Sequence, residues 1–362
     1  MRRLLFSALV LLLAAGCARR ETPVEAGIRT QTLHLGNGAE PQTLDPQLVT
    51  ALTDANLMLA LFEGLCALDE RTSEPLPAAA TRWEVSADGL VYTFHLRENL
   101  KWSNGDPLVA ADFVFAWRRA LSPALAAEYA YLLFPLKNAA ALNAGELTDF
   151  SQLGAEAVDD RTLRLTLEQP TPYLPALTVN PVWFPLNPRV IAAGGTPDQR
   201  GNTWTRPATY VGNGPFTLQE WRPNAHVIVR RNPHYWEAAA VRLNTLVFHP
   251  VESAETEERS FRAGQLHITH GLPVTKIAPY RTEQSGVLRT DPFLQTVFLR
   301  FNTTRPPFDR AEVRRAFALA IDRAAITGSV LRGANQPAPH FTPPDLAGYT
   351  ARATVGTDPA EA

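Results

Sequence analysis

Hydrophobic periodicity changes repeatedly along this chain, and that alternation limits the fold more than any other feature. Apolar residues at every second position mark strands, and a spacing of three to four marks helices. Tyr92, Phe94 and Leu96 alternate with Val91, Thr93 and His95, which predicts a strand with one apolar face. Breakers cluster from Trp102 to Pro107, after which Phe113, Ala116, Trp117, Ala120 and Leu121 recur at helical spacing up to Pro123. Leu163, Leu165 and Leu167 then alternate with Arg164, Thr166 and Glu168, and Pro170 and Pro172 close that strand as a predicted sheet edge. Further strands are predicted at His226 to Arg230 and Leu243 to His249. A helix is predicted along Val313, Ala316, Phe317, Ala320 and Ile321, with Asp309 as N-cap and Glu312 three residues on. The fold class is mixed α/β.

Proline is over-used, at 30 of 362 residues beside 21 glycines. Five prolines between Thr171 and Pro188 predict an extended crossing between two bodies. The length suits two or three domains. With 45% hydrophobic and 19% charged residues, neither a disordered chain nor a whole-length membrane protein is expected. The 34 bases and 36 acids leave a net charge of −2, which gives no footprint for nucleic acid.

The N-terminus carries a separate message. Arg2 and Arg3 precede an uncharged apolar run from Leu4 to Gly16, too short to span a bilayer and within the roughly 7 to 15 residues of an export signal core. The segment resembles a bacterial lipoprotein signal, in which Cys17 becomes the lipidated first residue. Ordinary secretion and an uncleaved anchor are the alternatives. Removal of residues 1–16 takes away two bases and leaves 32 bases, 36 acids and a net charge of −4. Residues 17–32 are predicted to be a tether, polar from Thr22 to Ala26. With Cys17 lipidated, Cys66 is the only other cysteine, and its apolar neighbours predict a small buried side chain.

Standard catalytic signatures are absent: there is no Gly-x-Ser-x-Gly, no phosphate-binding loop, no His-Glu-x-x-His and no Cys-x-x-Cys. Gly36-Asn37-Gly38 and Gly212-Asn213-Gly214 lack the third glycine of a dinucleotide site and read as turns. His267 and His270 are three apart at a strand end and point to opposite faces, so no shared metal is expected. The acids Glu252, Glu255, Glu257 and Glu258 read as the solvated face of a helix. No enzyme activity, cofactor or metal is predicted.

An ordered set of segments resembles a known family. Glu40-Pro41-Gln42-Thr43-Leu44-Asp45-Pro46, Leu61-Phe62-Glu63-Gly64-Leu65, Tyr92-Thr93-Phe94-His95-Leu96-Arg97 and Lys101-Trp102-Ser103-Asn104-Gly105 come first. Ala111-Asp112-Phe113-Val114, Gly212-Asn213-Gly214-Pro215-Phe216, Asn232-Pro233-His234-Tyr235-Trp236 and Arg305-Pro306-Pro307-Phe308 follow, with Ala320-Ile321-Asp322-Arg323 last. Together they resemble the extracytoplasmic solute-binding proteins of family 5, the oligopeptide- and dipeptide-binding proteins of bacterial ABC importers.

The resemblance implies a bilobed periplasmic-binding-protein fold, class II-like, of the three-region peptide-binding subtype. Residues 33–62 and 187–292 would form the base lobe (domain I), 63–186 an inserted domain (domain II), and 293–362 an incomplete second lobe (domain III). Family members continue past Ala362, so a truncated or interrupted product with impaired binding is expected. The implied ligand is an extended peptide held through its backbone, and the implied partners are ABC permease subunits. A lipid anchor on Cys17 would hold a monomeric protein in the cell envelope. By resemblance, Thr50, Ala51 and Leu52 pair with the peptide backbone, Tyr129 faces the ligand, and His270, Gly271 and Phe293 line the wall near the hinge. Arg332 would take the place of a carboxylate-binding lysine, where Leu331 occupies the matching position. Alternatives are an envelope interaction or sensing protein, a binder of nickel complexes, haem, sugars or cell-wall peptides, and an extracytoplasmic hydrolase.

Overall fold

The computed structural model describes residues 20–284, 286–291, 293–343, 349 and 351–362. Cys17 and the export signal lie outside the described residues. The chain divides into two compact units between Gly271 and Leu272, whereas the resemblance places the lobe boundary at Phe293.

The first unit opens with helix α1 (Pro23–Thr30), within the stretch expected to be a tether. The reason is a capping box that closes a helix at its first turn. Thr22 N–H donates to Glu25 Oε2 at 2.8 Å, and Glu25 N–H donates to Thr22 Oγ1 at 3.2 Å, with Pro23 at the first helical position. Strand β1 (Thr32–Gly36) follows, then helix α2 (Leu52–Leu61). The small ribbon β2 (Cys66–Leu68) and β3 (Pro75–Pro77) leads into β4 (Ala80–Val85) and β5 (Val91–Leu96). Helix α3 (Ala110–Ala120) precedes β6 (Ala155–Asp159) and β7 (Thr162–Thr166). After a long connection come β8 (Phe216–Arg222), β9 (His226–Arg231), β10 (Thr245–His249) and helix α4 (Ala254–Arg262).

Two four-stranded sheets result, in the orders β1-β10-β9-β8 and β4-β5-β7-β6. In the first, β1 runs parallel to β10, with Thr32 opposite Thr245, and every other pairing is antiparallel. Everything between β1 and β8 is therefore an excursion from that sheet, and the second sheet is built inside it. The predicted alternation in β5 holds, since Tyr92, Phe94 and Leu96 are buried. The same is true of Leu163 and Leu165 in β7, but β7 is not an edge: it lies between β5 and β6, and Pro170 and Pro172 fall beyond its last paired residue. The proline-rich crossing is also not wholly extended. Leu174–Leu177, Pro181–Trp183 and Pro188–Gly194 form short helical turns, each with proline at its first or second position, where the missing N–H costs nothing.

Trp102, Trp117, Trp183, Trp204, Phe62, Phe94, Phe113 and Phe184 are fully buried in one continuous core. Cys66 is buried there too, and burial pushes its thiol up to about 11, as suits an inert small side chain. Asp112 anchors the start of α3, its Oδ2 accepting from Trp102 Nε1 at 3.0 Å and from Val109 N–H at 3.2 Å. The acids of α4 are not all solvated: Glu257 and Glu258 are buried, and Glu257 packs against Gly36 of β1.

The second unit contains helices α5 (Val274–Glu283) and α6 (Ala311–Ala320). The helix predicted at 313–321 is present, but it starts one residue late for Asp309 to cap it. Arg310 occupies the N-cap and makes no side-chain cap bond. Phe301, Phe308 and Phe317 form a ring cluster with centroids 4.9 to 5.9 Å apart.

Candidate functional site

The approach to the site is set by a buried ion pair. Arg119, on the inner face of α3, directs its fork at Asp45, with contacts of 2.6 and 3.1 Å, and donates to Gln47 Oε1 at 2.6 Å. Gln47 Nε2 in turn donates to the Ala116 carbonyl. A bidentate buried pair fixes direction as well as distance, so the loop ahead of α2 is pinned to α3 from below. Tyr210 adds a bond from its hydroxyl to the Leu44 carbonyl at 2.8 Å.

That loop presents Thr50, Ala51 and Leu52. Tyr129 donates from its hydroxyl to the Thr50 carbonyl at 3.2 Å, so the structure brings these two predicted residues together. Ala51 is the N-cap of α2 and supplies no side-chain cap. Among the described residues, the N–H groups of Thr50, Ala51 and Leu52 have no hydrogen-bond partner. Leu52 is exposed and Tyr129 half-buried. Ala51 is extended (φ −95, ψ 146) and Leu52 opens the helix, whose first N–H groups have no partner within it, so these donors can pair with a ligand carbonyl.

His270 belongs to the same neighbourhood. Gly38 has φ +68, and a Cβ there would stand 3.0 Å from His270 Cδ2 and 3.3 Å from Thr53 Cγ2. Asn37, buried beside it, donates to the Thr53 carbonyl at 2.9 Å. The segment 266–268 lies along β1 as an added parallel strand: His267 N–H donates to the His34 carbonyl at 2.8 Å and Gly36 N–H to the Ile268 carbonyl at 2.9 Å. Gly271 N–H then donates to Glu257 Oε2 at 2.9 Å. Thr50 and Tyr129 are thus joined by a hydrogen bond, His270 stands near Thr53, three residues on from Thr50, and Gly271 is held by Glu257. His267 and His270 face different surroundings, the first stacked on His34 and the second beside Gly38.

Phe293 and Arg332 lie in the second unit. Phe293 is 65% exposed, and Arg332 is exposed with φ 51. Sequence reasoning missed Asn37, Gly38 and Glu257. The signal for Gly38 was the Gly-Asn-Gly turn, but Glu257 looked like one acid of a solvated run. A groove of about 570 Å³ lies elsewhere, between α3 and β6–β7, lined by Phe115, Arg118, Glu156 and Arg164 among others, and none of the candidate residues lines it. No group of three or more metal-binding side chains is present among the described residues, and none of their helices is long and apolar enough to cross a membrane.

Comparison with known proteins defines the class. Residues 74–362 match the bacterial extracellular solute-binding proteins, family 5, and the chain belongs to that family. One relative is the probable deoxycholate-binding periplasmic protein YgiS of Escherichia coli, 39% identical over 89% of this chain and 58% of its own length. Another is the periplasmic oligopeptide-binding protein OppA of Salmonella typhimurium, 35% identical over 95% of this chain and 63% of its own. The crystal structure of Haemophilus influenzae OppA in complex with RPPGFSPFR superposes with a TM-score of 0.78 at 35% identity, over 87% of this chain and 60% of that one. The chain thus spans about three fifths of the length of these relatives, and the mixed α/β periplasmic-binding-protein fold is shared with them.

Proposed function

We propose that this chain is the substrate-binding component of an ATP-driven peptide importer, a monomer that takes extended oligopeptides by their main chain and delivers them to permease subunits. The observation that carries this reading is the unpaired run of N–H groups at Thr50–Leu52, with Tyr129 bonded to Thr50 and His270 near Thr53. Main-chain pairing is common to all peptides, and water can fill gaps around their varied side chains, so specificity stays broad. Phe293 and Arg332 would contribute from the second lobe, with Arg332 matched to the peptide carboxylate. Residues 33–62 and 187–292 would serve as base lobe, 63–186 as inserted domain and 293–362 as second lobe. Cys17 would carry the lipid that keeps the protein at the cell envelope.

The wall seen in the first unit offers at most three free main-chain donors at about 1 kcal/mol each, which corresponds to a Kd in the millimolar range. Calorimetry with tri- to pentapeptides, and with the same peptides N-methylated along the backbone, tests the reading. Weak heats that depend little on sequence and vanish on N-methylation are expected. Equal binding of both sets, or no binding of either, would sink it.

A second reading is favoured by the relative named for deoxycholate. Leu52 and Tyr131, both 54% exposed, offer apolar surface near the same wall that an amphipathic steroid acid could use. Heats from deoxycholate below its micellar range, without heats from peptides, would select it.

A further inference from the structure

One face of the first sheet carries a row of imidazoles that the site does not use. His34 of β1 stacks between two rings, that of His249 at a centroid distance of 5.5 Å and that of His267 at 5.9 Å, the latter pair only 7° from parallel. His34 Nδ1 and His249 Nε2 stand 3.2 Å apart. His226, at the start of β9, lies near the end of β10, and its Nε2 is 3.2 Å from Glu220 Oε1. The row therefore crosses four adjacent stretches of chain, with the Glu220 carboxylate at one end.

At the other end a ring holds a backbone in place. His34 N–H donates to His267 Nδ1 at 3.0 Å, while His267 N–H donates to the His34 carbonyl. The first of these bonds requires Nδ1 to be unprotonated, because an imidazolium has two N–H donors and no acceptor. The His34–His249 contact likewise accommodates one proton between its two nitrogens and not two. The ring of His267 is covered by α1, where a Cβ on Gly27 would come within 2.7 Å of its Cε1. The charged groups of α1 are engaged elsewhere, Glu25 at Thr22 and Arg29 at Glu21. From α4, Glu257 packs on Gly36 and accepts from Gly271 and Glu258 pairs with Arg262 at 2.8 Å, while Glu220 of β8 meets His226. Burial and the ring of His267 are what act on His34, and both disfavour its charged form.

We propose that this row is an acid-operated latch: with the rings neutral it holds segment 266–271 against β1, and protonation releases that segment. The released stretch carries His270 and Gly271, so acidification would loosen the ligand wall. Only that last consequence rests on the peptide reading; the latch is a property of the first unit. Burial and the neighbouring ring favour the neutral form of His34, and burial with the charges of His34 and His226 lowers His249 to about 4. His34 and His249 are therefore held neutral, and their contact becomes strained as the solution turns acid.

Amide hydrogen exchange of the full chain tests this, read as protection factors so that the intrinsic pH dependence of exchange is removed. Between pH 7.5 and 5.0 the Gly36 and His267 amides should lose at least tenfold in protection, while amides of β5 and β7 hold theirs. The double variant H249Q/H267N supplies acceptors that do not titrate, since asparagine Oδ1 can stand where Nδ1 stood, and it should keep its protection at pH 5.0. Ring-nitrogen NMR of the unmodified chain gives a readout that needs no variant: His267 should carry its proton on Nε2 at pH 7.5. Protection that persists to pH 5.0 in the unmodified chain, equal loss in the double variant, or a proton on His267 Nδ1 at pH 7.5 would each overturn the latch.

Discussion

The two units of this protein bury apolar surface very differently. The first hides four tryptophans and a continuous layer of leucine and phenylalanine, whereas among the described residues of the second only Tyr280 and Leu319 are buried large hydrophobics. In the same stretch Phe293, Leu294, Val297 and Leu299 are all exposed by more than 60%. Phe317, Ile326 and Val330 are exposed as well, while Ile321 and Leu331 are half-buried. Hydrophobic burial at about 25 cal/mol per Å² dominates folding stability. The first unit should therefore unfold cooperatively, and the second should open well before it.

The largest expected contrast is between core deletions in the two units. Trp117→Ala removes a fully buried indole whose Nε1 donates to the Trp183 carbonyl at 2.9 Å, and should cost about 3–5 kcal/mol in urea titration of the first unit. Phe317→Ala, at 47% exposure, should cost less than about 1.5 kcal/mol in urea titration of the second unit. Comparable losses would end the contrast between the units.

Next in size is Asp45→Ala, which leaves the Arg119 guanidinium buried without its carboxylate and should destabilise the first unit by about 3–5 kcal/mol. The substitution should also release the loop ahead of α2, so increased exchange at residues 47–52 is the accompanying sign. A loss below 1 kcal/mol would mean that the pair adds nothing beyond an exposed one.

Smaller effects come from pH, and two groups act with opposite sign. His249 is depressed to about 4, so its contribution is present above the unfolded value near 6.5 and is lost as pH falls from there towards 4. Glu63 is pushed up to about 7 by burial, although Tyr235 and Trp236 donate to its carboxyl. Its contribution is present below about 4.5 and is lost as pH rises towards 7. The two slopes offset each other in the unmodified protein. Glu63→Gln should unmask a first unit that weakens on acidification, and His249→Gln one that weakens on approach to neutrality. The same pH profile in both variants would contradict this assignment. The smallest effect is expected from Arg315→Ala at the exposed 2.8 Å contact with Glu361, which should leave the urea midpoint unchanged.

Where a pattern belongs to one element, it was legible. The face of β5, the apolar stripe of α3 and the helix at 311–320 follow from spacing alone. Strand order does not, and so β7 was expected at an edge although β5 and β6 flank it. Burial of Glu257 depends on α4 meeting Gly36, a contact between residues over 200 positions apart in the sequence. The helix at 23–30 was written in Thr22-Pro23-Val24-Glu25, but its polar composition resembled a linker. For the site, Thr50 and Tyr129 were placed by family resemblance and are joined by a hydrogen bond. The supports beneath them, Asp45 with Arg119 and Asn37 with Thr53, are long-range contacts that no local pattern announces.

The parallel pairing of β1 with β10 has a consequence for how the molecule is made. The strand that begins at Thr32 finds its neighbour only once Thr245 has been synthesised. Contacts so distant along the chain slow folding. During that interval β1 is an unsatisfied edge, open to pairing with the wrong chain. Guardianship of the nascent protein, by a chaperone or by delayed release, would matter most before the tenth strand emerges.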